Sequence, residues 1–168
     1  MGTTSRLRRG GGPDPRREVE RRVYVNALPR RVWTSLHAPA SLSRLIPELS
    51  FRSVDPTWPA AGALRFGEAH LGLLRTAVRI ESLEARPDAA FRLLVTAAEF
   101  SIEWGWRLEP TAGGTRVVHD GTFETFDRWA GLLVRLGRES VGALADEHLR
   151  ALKELAEGGW GAAAGPAA

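Results

Sequence analysis

The chain has 168 residues, 43% of them apolar, a formal charge of +3 and no cysteine. That length suits one domain with a full core, and the missing thiols exclude disulfides, thiolate metal sites and a cysteine nucleophile. The charge is unevenly placed: Arg6, Arg8, Arg9, Arg16 and Arg17 face only Asp14 in the first 17 residues, so the rest is nearly neutral and lacks the basic face that nucleic acid requires.

Residues 1–17 mix Gly, Pro and Arg without apolar periodicity and read as a disordered basic leader. No apolar stretch follows those arginines as a secretory signal would require. No run is apolar enough for stable membrane insertion; a cytoplasmic setting is the expectation. Val19, Val23, Val25 and Ala27 then alternate with Glu20, Arg22, Tyr24 and Asn26, the period of a half-buried strand. Pro29 opens a helix with Val32, Trp33 and Leu36 on one face, and Pro39 ends it. Ser41 is the expected N-cap of a second short helix. Its Leu42, Leu45, Ile46 and Leu49 point one way, and Pro47 limits its length.

From Phe51 to Glu124 every signal is strand or turn. Phe51–Val54 precedes the breaker Asp55-Pro-Thr-Trp-Pro59. Strands are expected at Ala63–Leu71, Leu74–Leu83, Ala90–Phe100, Ser101–Glu109 and Thr115–Glu124, divided by Gly72, Arg86-Pro-Asp88 and Pro110-Thr-Ala-Gly-Gly114. Only the Phe100–Ser101 boundary lacks a turn residue. Connections this short demand antiparallel pairing. The period then changes: Trp129, Leu133, Leu136, Leu144, His148, Leu152 and Leu155 recur at helical spacing along one helix of roughly 30 residues. Gly158–Ala168 reads as a flexible Gly/Ala tail, leaving 18–157 as the folded body.

Three local patterns carry a family resemblance: Pro29-Arg-Arg-Val-Trp33 leading to Pro39 and Leu42, Gly113-Gly-Thr-Arg-Val117 opening the last strand, and Leu149-Arg-Ala-Leu-Lys-Glu-Leu155. Together with the element order, they resemble the helix-grip domains of the START-like, polyketide cyclase and lipid-transport superfamily (SRPBCC) over residues 18–157. The resemblance implies an α+β fold: a curved antiparallel sheet of six or seven strands, two short helices after strand 1, and a long C-terminal helix on the concave face. It also implies an apolar ligand cavity between sheet and helix. It carries over no catalytic residue, because a fold of this kind hosts many activities.

Alternation assigns side chains to the inner face. Leu74, Thr76, Val78 and Ile80 go inward in one strand, and Phe91, Leu93, Val95 and Ala97 in another, with Glu99 following. Ile102, Trp104, Trp106 and Leu108 form a third inward set, and Val117, His119, Gly121 and Phe123 a fourth. In Ala63–Leu71, Leu64 and Phe66 set the parity and carry Glu68 and His70 inward.

The ligand-contacting set expected from this is Phe66, His70, Val78, Val95, Trp104, Trp106 and His119, with Trp129 and Leu133 from the helix. Trp104 and Trp106 are wall or core, with faces suited to flat apolar ligands. His70, His119, Glu68 and Glu99 are the candidate acid–base groups, since a His–Glu pair can transfer protons near neutral pH. His148, on the apolar helix stripe, reads as a hydrogen-bonded core histidine, and Trp58 as a lid or an anchor. The four histidines lack metal-ligand spacing, and no cofactor is implied. The leading expectation is binding, sequestration or transport of a small hydrophobic molecule such as a lipid, quinone or polyketide-like compound. A polyketide-type cyclase or dehydratase is the alternative, and a regulatory or interaction protein the third.

Overall fold

The computed structural model describes residues 16–71, 73–126 and 141–158. Strand β1 (Arg16–Val25) opens the fold, two residues inside the expected leader. Helix α1 (Pro29–His37) starts on a proline, whose missing N–H removes nothing from a first turn. Helix α2 (Pro39–Leu45) does the same: Ala38 caps the end of α1 and the start of α2. Pro39 therefore stops one helix and opens the next, and Ser41, expected as the N-cap, lies buried within α2. Six strands follow: β2 (Leu49–Val54), β3 (Leu64–Leu71), β4 (Leu74–Arg86), β5 (Ala90–Thr96), β6 (Phe100–Thr111) and β7 (Gly114–Thr125).

The seven strands form one antiparallel sheet in the order β1-β7-β6-β5-β4-β3-β2. Strand β1 closes on β7, with Val19 opposite Gly121 and Val25 opposite Thr115. Helices α1 and α2 carry the chain from that edge to β2 at the other. Helix α3 (Val141–Glu157) buries Leu144, His148, Leu149, Leu152 and Leu155 on one stripe, as the helical spacing requires. It packs on β1, β7, α1 and α2. At its C-terminal end, Lys153 Nζ donates to the Tyr24 carbonyl at 2.7 Å, and the Asn26 amide donates to Glu157 Oε1 at 2.6 Å. The N-terminal part of the expected long helix, with Trp129 and Leu133, lies outside the described residues.

The soft boundary in the sheet moves. The β5–β6 turn falls at residues 97–99, and Phe100 opens β6 as a buried residue. A larger correction concerns β3. The inner residues are Arg65, Gly67, Ala69 and Leu71, while Phe66 is 50% exposed and His70 exposed. Pairing explains this, because directly opposed residues share a face. Leu71 pairs with Leu74, Gly67 with Val78 and Arg65 with Ile80, so the inward set of β4 forces the odd-numbered residues of β3 inward. A Cβ on Gly67 would come within 1.8 Å of the Ser50 carbonyl oxygen, so β2 can close over β3 there only above a glycine.

Candidate functional site

The interior between sheet and α3 is built on cross-strand rows. Phe91, Trp106 and His119 are directly opposed on β5, β6 and β7. Their rings stack in sequence, Trp106 on His119 at 4.5 Å and 5°, and Phe91 on Trp106 at 6.2 Å. One row along, Trp104 lies over Gly121, where a Cβ would sit 2.0 Å from the indole; only glycine accommodates that ring. Trp104 also meets His148 of α3 edge-on, with centroids 5.0 Å apart. Val78 and Val95 lie buried in the same core.

Three ionisable side chains are threaded through these rings. His119 Nδ1 is 2.8 Å from the Gly105 carbonyl oxygen, His119 Nε2 is 3.2 Å from His148 Nδ1, and His148 Nε2 is 2.7 Å from Glu48 Oε1. Both histidines are fully buried and Glu48 nearly so. The direction of the chain follows from chemistry. A carbonyl can only accept, so His119 carries its proton on Nδ1 and accepts on Nε2. His148 must then donate from Nδ1. The remaining contact between His148 Nε2 and Glu48 holds one proton: either imidazolium faces carboxylate, or neutral imidazole faces carboxylic acid. Burial, reinforced by His148, pushes the His119 pKa down to about 3, so its ring is neutral at ordinary pH.

Glu48 reaches this place through backbone geometry. It follows Pro47 in the turn between α2 and β2, and its carbonyl accepts the His70 amide at 2.8 Å. His70 therefore serves the site with its main chain. Its side chain, with Glu68, is on the outer face, where Glu68 pairs with Arg52 and lies 3.8 Å from His70 Nε2. Phe66, His70 and Glu68, expected to line the interior, do not reach it. Glu99 sits half-buried in the β5–β6 turn and accepts from Thr76 Oγ1 at 3.1 Å, away from His119. Of the four candidate acid–base groups, His119 alone joins the buried network. Its partners are Glu48, which no pattern in the sequence singles out, and His148, expected as a hydrogen-bonded core side chain.

Every ring nitrogen of the two histidines is engaged within the protein. The buried atoms left unpartnered on this network are Glu48 Oε2 and, beside it, the Trp106 indole Nε1. Both are buried polar atoms whose hydrogen-bonding capacity is unused. Among the described residues no group of three or more His, Asp and Glu side chains is disposed to hold a metal ion, and no helix is long and apolar enough to cross a membrane.

This architecture, an antiparallel sheet gripping a C-terminal helix over an aromatic interior, defines a helix-grip protein. The chain belongs to the polyketide cyclase/dehydrase and lipid-transport family, whose model matches residues 16–157. Solved structures agree on the fold. An uncharacterised protein from Rhizobium leguminosarum superposes with a TM-score of 0.63 at 16% identity, covering 84% of this chain and 95% of its own. A protein from Thermus thermophilus gives 0.61 at 23% identity, with 83% and 97% covered. The protein Ara h 8.0201 gives 0.56 at 12% identity, with 84% and 97% covered. No curated protein sequence matches.

Proposed function

We propose that the chain is a cytoplasmic binding module that sequesters or carries a small hydrophobic molecule between its sheet and its terminal helix. The observation that carries this reading is the polarity of the interior. Its walls are Val78, Ile80, Phe91, Leu93, Val95 and the two tryptophans, yet Trp106 Nε1 and Glu48 Oε2 are buried without partners. A core made only for stability satisfies its polar atoms, whereas a binding site combines apolar walls with a few open polar groups. Membership of a family described by lipid transport supports the same reading. Native mass spectrometry of protein purified from its source, followed by organic extraction, is the test. A bound apolar compound is expected. Protein that is empty from its source and also fails to take up apolar probes would overturn the reading.

A second reading, a cyclase or dehydratase, is favoured by one feature, the shared proton between His148 and Glu48. His119 and His148 have no free nitrogen, so direct proton transfer to a substrate falls to Glu48 through Oε2, with the histidines setting its protonation. Turnover of a poly-β-keto substrate that Glu48→Gln abolishes and His70→Ala leaves intact would support it. Turnover unaffected by Glu48→Gln would exclude that route.

A further inference from the structure

Arg65 lies on the inner face of β3 and is only 1% exposed. Its guanidinium is sandwiched between the Trp58 ring at 4.3 Å and the Phe51 ring at 5.2 Å. The Trp58 indole is held in place by donating to the His37 carbonyl at 3.2 Å and by edge contact with Phe91. Arg65 Nε and Nη2 are both buried with no hydrogen-bond partner. No carboxylate among the described residues is within salt-bridge distance of it. Glu68, its nearest acid along the chain, is on the outer face with Arg52, and Asp55 is turned to the Thr57 amide and hydroxyl, at 2.8 and 2.6 Å. Burial lowers the Arg65 pKa, yet guanidinium stays protonated in proteins. The structure thus holds a buried cation that two ring faces stabilise only in part, an arrangement unfavourable without a counter-charge.

The orphaned atoms indicate the shape of that counter-charge. Nε and Nη2 form one edge of the guanidinium, with two parallel N–H groups that match the two oxygens of a carboxylate. Arg65 is the only fully buried Arg or Lys among the described residues. A single negative charge would neutralise the site, whereas a phosphate dianion would bring a second charge with no partner. Along the cross-strand row from Arg65 come Ile80, Val95 and Ile102, all buried and apolar. Phe51 and Trp58 are both only partly buried, so the guanidinium lies one side chain below the surface.

We propose that Arg65 is an anion seat, receiving the carboxylate of an amphipathic acid on its Nε–Nη2 edge while the apolar body lies along the Ile80–Val95–Ile102 row. This deepens the carrier reading and rests on it. The test titrates octanoate and laurate against octanol and lauryl alcohol by calorimetry, on the wild type, Arg65→Met and Arg65→Lys. The wild type should bind each acid about tenfold or more tighter than its alcohol, the worth of a bidentate charged pair. Arg65→Met should bind acid and alcohol alike, and Arg65→Lys, which keeps the charge without the fork, should recover only part of the preference. Equal binding of acid and alcohol by the wild type, or an acid preference that survives in Arg65→Met, would remove the seat and leave the carrier. Binding of neither would remove both. Thermal unfolding of the ligand-free proteins gives a second measure: Arg65→Met should melt higher, because it deletes an unpaired buried charge. A lower melting temperature or a failure to fold would mark Arg65 as structural and overturn the seat.

Discussion

At the scale of single residues, the buried chain Gly105–His119–His148–Glu48 makes distinct predictions. His119 stays neutral in the folded protein down to about pH 3, whereas in the unfolded chain it takes up a proton below its ordinary value of 6.5. The unfolded state therefore binds more protons between these values. The stability associated with a neutral His119 is complete above pH 6.5 and declines as pH falls toward 3, at up to about 1.4 kcal/mol per unit. Urea denaturation across that range should show the decline, and His119→Asn should flatten it. Glu48 separates hydrogen bonding from charge. Glu48→Gln can still donate to His148 Nε2 and should keep the network closed, whereas Glu48→Ala orphans that nitrogen and should destabilise by about 1–3 kcal/mol. Denaturation compares the two, and imidazole nitrogen NMR on the Gln variant should report His148 protonated at Nδ1 alone. Gly121→Ala is a packing test. Its Cβ would enter the Trp104 ring, and overpacking of this kind destabilises by about 1–3 kcal/mol.

At the scale of elements, the facing of β3 has the largest consequence. Phe66, Glu68 and His70 belong to the outer face, so Phe66→Ser and His70→Ala should each change stability by no more than about 0.5 kcal/mol and leave apolar-ligand binding as it was. Ala69→Arg, one position away on the inner face, should be severely destabilising, since its neighbours are core. Denaturation and probe binding on these three variants check the assignment. The proline-bounded helices act similarly. Pro39 places α2 directly after α1, and Pro47 ends it so that Glu48 enters the interior from a turn whose carbonyl is fixed to β3. The buried carboxylate is thus positioned by main-chain hydrogen bonding at the junction of two elements.

At the scale of the whole molecule, the closing pair β1–β7 joins residues about a hundred positions apart, whereas the other five pairings join strands consecutive in the chain. Closing a loop of that length is the slow step, which puts formation of the complete sheet in milliseconds to seconds. Stopped-flow refolding followed by tryptophan fluorescence should fall in that range. Amide exchange should be slowest in β6 and β7, which have a partner on both sides and cover the aromatic rows. It should be fastest in β2, an edge strand whose ladder shifts register between Phe51 and Ser53.

Local pattern alone determined the element order, the antiparallel sheet and the apolar stripe of the terminal helix, because strand and helix periodicity and proline punctuation act on neighbouring residues. The inward row of Trp104, Trp106 and His119 was legible for the same reason. The facing of β3 was within reach too: Leu74 was read as inward, and its pairing with Leu71 across a short hairpin places Phe66 and His70 outside. The apolar pair Leu64 and Phe66 obscured that, since an arginine between two aromatic rings can be buried more deeply than a phenylalanine on the wrong face. Only the tertiary structure decided that Glu48, His148 and His119 meet. They lie on three elements up to a hundred residues apart, and no periodicity encodes which turn will point its carboxylate at which helix.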